Sequence, residues 1–303
     1  MAMDNDLAAI PDEHLHRFIV VDSCRLILCP IAKSASTLLK RLAVILQGQT
    51  PVWQSSTWES KPALAVHDRL INGLRTLADY SPQDRARILA SSDWIRLAVT
   101  RHPAERLVSF WFDKLYLQEP AYQQLSGLIQ RESSEEPSVD SPGFEEFLKY
   151  LEAHWDLLSQ DCHLAPQVSQ LCLSSVSYSH LLDRSELFTG LLPLLSDRST
   201  QQALTSLQQE LSDYRTFYHQ DLISLWPKLY SSRSLDLIQR LYRDDFTRFS
   251  SYLARSADQS ASSVSPSLIQ ACLADSCAFN WPDFTLVHQQ AGGKIIGTGE
   301  KEC

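Results

Sequence analysis

Residues 18–47 read FIVVDSCRLILCPIAKSASTLLKRLAVILQ, and this stretch decides the fold. Phe18 to Asp22 and Arg25 to Cys29 are two short runs rich in β-branched and aliphatic residues, joined by a tight turn, which predicts a strand pair. The loop PIAKSAS follows, and then an apolar stripe at Leu39, Leu42, Ala43 and Leu46 predicts a helix from about Thr37 to Gln47, closed by Gly48. A strand that runs through a short loop into a helix is the unit of an α/β fold.

The second unit of this kind is WIRLAVTRHPAERLVSFWFDKL, residues 94–115. Trp94 to Thr100 predicts a buried strand, and Pro103 suits the first turn of a helix, where its missing N–H costs nothing. Leu107, Val108, Trp111 and Leu115 make the buried face of that helix. Phe144 to Leu158 and parts of Ser199 to Tyr230 carry helical patterns, the latter broken by Pro227. Ser234 is placed to cap a long helix with the stripe Leu235, Ile238, Tyr242, Phe246 and Phe249. Residues 131–142 are acidic and turn-rich and predict a loop. The expected organisation is an extension at 1–17, one α/β domain at 18–253 with a central, mostly parallel sheet flanked by helices, a Ser-rich linker at 254–267, and a tail at 268–303 with no assigned role.

Charge locates the first functional site. The chain holds 27 Lys and Arg against 36 Asp and Glu, a net charge of -9, which argues against a nucleic-acid binder. Yet from Ser23 to Trp58 there is no acidic residue, while Arg25, Lys33, Lys40 and Arg41 all fall there. The centre of this basic island is the 30–36 loop, where helix N–H groups and the helix dipole favour an anion. Lys33 supplies a point charge, the backbone at Ala35 a cradle, and Ser34, Ser36 and Thr37 hydroxyl donors. The same residues would also arise if Ser36 or Thr37 only capped the helix. The glycine-rich GxxxxGK[ST] loop of ordinary nucleotide-binding enzymes is absent. At the end of the 94–100 strand, Arg101 and Ser109 could converge on a phosphate monoester, or Arg101 could pair with Glu105.

CPIAKSASTLLKRL resembles the 5′-phosphosulfate loop of the Golgi carbohydrate sulfotransferases, a pattern close to CPIPKVACTNWKRV, through Cys29, Pro30, Ile31, Lys33, Ala35, Thr37, Lys40 and Arg41. It departs at Ala32, Ser34, Ser36, Leu38 and Leu39, with Leu38 replacing a polar residue. RHPAERLVSFWFDK is similar to the family's 3′-phosphate motif through Arg101, Pro103, Glu105, Arg106, Leu107, Val108, Ser109, Asp113 and Lys114. The segment from His163 through Pro166, Gln167, Leu171 and Cys172 looks like a third family patch, and Tyr242, Asp245, Phe246, Phe249 and Tyr252 like a fourth. The resemblance covers about residues 18–253 and implies a P-loop-like sulfotransferase fold.

By this resemblance the donor is 3′-phosphoadenosine 5′-phosphosulfate (PAPS), and the acceptor is a hydroxyl, expected on a carbohydrate or glycolipid. Lys33 would meet the bridging and leaving oxygens, Ser34, Ala35, Ser36 and Thr37 the 5′-phosphate, and Arg101 and Ser109 the 3′-phosphate. Glu105 and Arg106 would form an internal ion pair. His67, between the two motifs, is the first choice for general base and His163 the second. The scheme needs no metal. The alternatives are a noncatalytic protein on the same fold or a kinase-like nucleotide-binding one. The sequence shows no signal-peptide pattern and no apolar run long enough for a membrane helix, so a soluble, cytoplasmic protein is expected, and the seven cysteines are expected to be mostly free thiols.

Overall fold

The computed structural model describes residues 10–49, 66–133, 141–199, 201–217 and 229–249. The predicted linker and tail, Tyr252 and Pro227 lie outside the described residues. The described residues of Met1–Arg101 and Gln167–Tyr218 form one compact unit, and those of His102–Pro166 and His219–Glu300 a second, within the span read as one domain.

The strands are β1 (Ile19–Val21), β2 (Leu26–Cys29), β3 (Arg75–Thr76), β4 (Ile95–Thr100) and β5 (His180–Asp183). The helices used below are α1 (Ser36–Leu46), α2 (Pro103–Phe110), α3 (Phe144–Ala153), α4 (Gln167–Gln170), α5 (Leu187–Leu195), α6 (Gln201–Phe217), α7 (Ser232–Leu241) and α8 (Arg243–Arg248).

The first unit is built on a five-stranded sheet in the order β3-β1-β2-β4-β5. β2, β4 and β5 run parallel, with Cys29 opposite Ala98 and Thr100 opposite Asp183, while β1 is antiparallel to both β2 and β3. The predicted strand pair is therefore a hairpin on the edge side of a parallel core. Its turn is a 3₁₀ turn at Asp22–Cys24 that ends with Arg25 in the left-handed region. β2 and β4 are buried almost throughout, as parallel strands covered on both faces must be.

Helix α1 packs Leu38, Leu39, Leu42 and Leu46 into the core with Leu28, Leu97 and Val99, joined by Leu187 and Leu191 of α5 and Leu207 of α6. Leu38 and Leu39, which depart from the resembled pattern, are completely buried there. They serve packing, and a polar side chain at either position would be buried in that core. Arg41, part of the basic island, is also buried and pairs with Glu210 of α6 at 2.8 Å. Arg25, at the other end of the island, pairs with Asp93 on the surface.

In the second unit α2 begins at Pro103, as its sequence predicts, and its N-terminus is closed by the His102 imidazole, which accepts from the Ala104 N–H. The helix then widens into a π-helical turn at Trp111–Tyr116. Lys114 is held there by Asp113 and Glu119, so the Asp113 and Lys114 of the motif form an internal charge cluster. Burial works to lower the Lys114 ammonium, but the two carboxylates outweigh it and raise it above the ordinary lysine range.

The second unit departs from expectation in several places. The Phe144–Leu158 helix is two pieces, α3 and a turn at Trp155–Leu158, separated at His154. The cap of α7 is Ser231, which accepts from the Ser234 N–H, and not Ser234 itself. The long helix expected after it divides at Tyr242 into α7 and α8. Tyr242 is buried, and its hydroxyl donates to the Leu164 carbonyl at 2.7 Å, so a tertiary bond holds the residue where the break falls. Of the cysteines among the described residues, Cys24, Cys29 and Cys172 are free, while Cys162 is disulfide-bonded.

Candidate active site

The loop between β2 and α1 leaves the carboxyl end of a parallel strand, the edge at which open α/β sheets bind their ligands. Lys33 and Ala35 both have φ of 65°, in the left-handed region, with neither being glycine. Each such residue costs on the order of 1–3 kcal/mol and persists only where its surroundings hold it. Alternating handedness turns successive backbone N–H groups toward one side, forming an anion-binding concavity. The first helical residue is Ser36, the cap residue is Ala35, and no side chain caps the helix. Capping by Ser36 or Thr37 therefore does not explain the sequence. The first turn also carries no acid to neutralise the helix dipole.

Ser34 is fully buried, and its hydroxyl donates to Gln167 Oε1 at 3.1 Å, so it is turned into the protein rather than toward an anion. Its backbone N–H donates to the Ile31 carbonyl at 3.0 Å, closing the turn. Thr37 is half-buried, with Oγ1 3.3 Å from His67 Nε2.

His67 Nδ1 lies 3.3 Å from Lys40 Nζ. An ammonium can only donate, so this contact requires Nδ1 to be the acceptor and places the ring proton on Nε2, facing Thr37. The sequence-predicted base is thus joined to the loop through Thr37, as a neutral imidazole. Pro30, Lys40 and His67 line a small pocket together with His16, Arg17 and Arg69. Arg69 is committed to Asp79 at 2.9 Å.

Arg101 follows β4 and is buried, with Nη1 donating to the Lys33 carbonyl at 3.0 Å. The two residues expected to hold opposite ends of one nucleotide are therefore in direct contact. The Gln167 amide clasps the backbone of Arg101 on both sides: Oε1 accepts from its N–H and Nε2 donates to its carbonyl, each at 2.8 Å.

Ser109 and His163 belong to the second unit. Ser109 is half-buried on α2. Arg106 of the same helix donates to the carbonyls of Ala165 and Cys162, both at 2.7 Å, so it braces the 161–166 segment. His163 Nδ1 is 3.0 Å from Asp161 Oδ1 and 2.9 Å from the Tyr122 hydroxyl, and that hydroxyl donates to Asp161 Oδ2 at 2.9 Å. Burial works to raise the Asp161 carboxyl, but the hydrogen bonds and charge of His163 outweigh it and hold it below the ordinary carboxylate range. An imidazole held at Nδ1 by a carboxylate is oriented and made more basic at Nε2. The donor atoms of Asp161, Cys162 and His163 lie within 4.8 Å of one another. The disulfide takes the Cys162 sulfur, leaving two donors where catalytic zinc uses three protein ligands.

Sequence reasoning missed Asp161, Tyr122 and the central place of Gln167. Gln167 was visible only as part of a resembled patch.

A parallel-strand end opening into a loop with two left-handed residues at an uncapped helix start, with a buried Arg from the next parallel strand against it, defines an α/β protein with a cationic loop at its strand ends. Comparison with known proteins narrows this. The chain belongs to the sulfotransferase family, whose sequence profile matches residues 16–252. Among curated proteins it is similar to carbohydrate sulfotransferase 10 of Xenopus laevis, 31% identical over 143 residues. It is also similar to carbohydrate sulfotransferase 10 of Homo sapiens, 28% identical over 142 residues, and of Danio rerio, 29% identical over 145. Each match covers 45% of this chain and 38% of the relative, so the chain matches less than half the length of these relatives. No solved structure matches.

Proposed function

We propose that the protein transfers a sulfuryl group from PAPS to a hydroxyl of a carbohydrate or glycolipid acceptor. The observation that carries this reading is the contact between Arg101 and the Lys33 carbonyl, which puts two cationic residues from two parallel strand ends beside one loop. A kinase-like reading is less well supported, because the loop lacks the glycines of an ordinary P-loop and reaches its left-handed geometry with Lys33 and Ala35 instead.

In this scheme the N–H groups of Ala35 and of the first turn of α1, with Ser36 and the Thr37 hydroxyl, receive the 5′-phosphate. Lys33 meets the bridging oxygen as charge builds on the leaving phosphate. Arg101 and Ser109 take the 3′-phosphate, which ATP lacks. The acceptor hydroxyl enters beside His67, whose Nδ1 lone pair, once Lys40 turns from it to the donor's oxygens, takes the proton as the O–S bond forms and the S–O bond to the adenosine bisphosphate breaks. His163, oriented by Asp161, is the second choice of base. The side chains assigned here need no metal. We also propose a cytoplasmic location, and among the described residues no helix is long and apolar enough to cross a membrane.

Incubation with sulfur-labelled PAPS and a panel of neutral and acidic glycans tests the reading. Label should move to a glycan with wild-type protein and not with Lys33→Ala, whose circular dichroism should be unchanged. No transfer to any acceptor, or full transfer by the Lys33→Ala variant, contradicts it.

A further inference from the structure

The side-chain amide of Gln167 makes three hydrogen bonds that together link the strand end at Arg101 and the loop at Ser34, 66 and 133 residues away from it in sequence. Its oxygen accepts from the Arg101 N–H at 2.8 Å and from the Ser34 hydroxyl at 3.1 Å, and its nitrogen donates to the Arg101 carbonyl at 2.8 Å. Arg101 in turn reaches back to the carbonyl of Lys33, the residue next to Ser34. The result is a closed circuit: Ser34 to Gln167, Gln167 to Arg101, Arg101 to Lys33, and Lys33 to Ser34 through the peptide bond. Every side chain that closes it, those of Ser34, Gln167 and Arg101, is at least nine-tenths buried.

Burial matters twice. In a water-poor site these bonds are not exchanged for solvent, and each partner left unpaired would cost on the order of 1–3 kcal/mol. The circuit also fixes a distance. The loop is held at the carbonyl of Lys33, itself left-handed, and at the side chain of Ser34, which lies between Lys33 and the second left-handed residue, Ala35. The strand end is held at both backbone atoms of Arg101. Neither segment can slide along the other without breaking a bond.

We infer that Gln167 is a positioning residue that sets the spacing between the 5′-phosphate loop and the 3′-phosphate arginine, so that a nucleotide phosphorylated at both ends fits while one phosphorylated at a single end gains nothing from it. The inference rests on the donor reading proposed above. A ligand anchored at one end can shift to follow a displaced loop. A ligand anchored at both ends cannot, and it loses affinity in proportion to the misfit.

The test compares two ligands on the full chain by calorimetry: adenosine 3′,5′-bisphosphate, which touches both ends, and adenosine 5′-phosphosulfate, which lacks the 3′-phosphate. Gln167→Met keeps the volume and removes all three bonds. It should weaken the bisphosphate by roughly 10- to 100-fold, the scale on which small misplacements act, and leave the phosphosulfate little changed. Ser34→Ala cuts one arm of the circuit without disturbing the core. It carries the same comparison should Gln167→Met fail to fold, and it should likewise weaken the bisphosphate more than the phosphosulfate. Where both variants fold, combining them should cost no more than Gln167→Met alone. Equal loss for both ligands, no loss for either, or additive effects in the double variant would overturn the role given to Gln167. Failure of the wild-type chain to bind the bisphosphate would instead overturn the donor reading.

Discussion

Replacing Arg101 with alanine should have two separable effects, because the side chain has two tasks. The first concerns the fold. Arg101 is 3% exposed, and its guanidinium donates to the carbonyl of Lys33, a residue held in the left-handed region. A hydrogen bond from a charged group is worth about 1.5–3 kcal/mol, so the unfolding free energy should fall by about that amount. Urea denaturation followed by tryptophan fluorescence measures it. The second concerns the ligand. A lost charge-assisted contact to the 3′-phosphate costs about 2–3 kcal/mol, which corresponds to a 30- to 150-fold weaker complex at about 1.4 kcal/mol per tenfold. Titration calorimetry with adenosine 3′,5′-bisphosphate measures that. Arg101→Lys keeps the charge but not the fork, and should recover part of the binding and little of the stability. A folded Arg101→Ala variant with an unchanged dissociation constant would refute the placement of the 3′-phosphate at this strand end. An unchanged urea midpoint would refute the claim that Arg101 braces the loop.

Two further outcomes follow from the histidines. His67→Ala should lower kcat by roughly 10²- to 10⁴-fold, the usual worth of a general base, with little effect on bisphosphate affinity. A change confined to KM would move His67 out of the chemistry and leave His163 as the base. Asp161 carries a carboxyl held below its ordinary value in the folded chain. Such a group contributes stability that is present above its unfolded value, about pH 4, and is lost as pH falls through the lower folded value. Asp161→Asn should therefore flatten the acid limb of the stability curve seen in pH-dependent thermal melts. An identical acid limb in the variant would count against the Asp161–His163 pair.

What the sequence made legible was local. β2, the loop and α1 are contiguous, and their burial follows the apolar period, so strand, loop and helix could be read directly. β4 and the Pro103 start of α2 were equally plain. β5 was not, because His180–Asp183 is only half-buried along its length and carries a charged end in place of an apolar run. β3 is two residues long and exists through pairing with β1. The break at Tyr242 has no Pro or Gly to announce it, and Ser231 and Ser234 offered the same cap chemistry three residues apart.

The site divides the same way. Lys33 and the loop stood out through charge. The burial of Ser34 and the clasp of Gln167 depend on partners 133 and 66 residues away, and no local pattern reports such contacts. Leu38 and Leu39 depart from the resembled pattern, and the core position of both explains them without reference to a ligand.

The proposed transfer requires one chain to hold both phosphates of a single adenosine nucleotide. Calorimetric titration of the wild-type protein with adenosine 3′,5′-bisphosphate and, in parallel, with ATP and magnesium addresses this directly. The bisphosphate should bind one per chain and far more tightly than ATP. Equal affinities, or a preference for ATP, would contradict it.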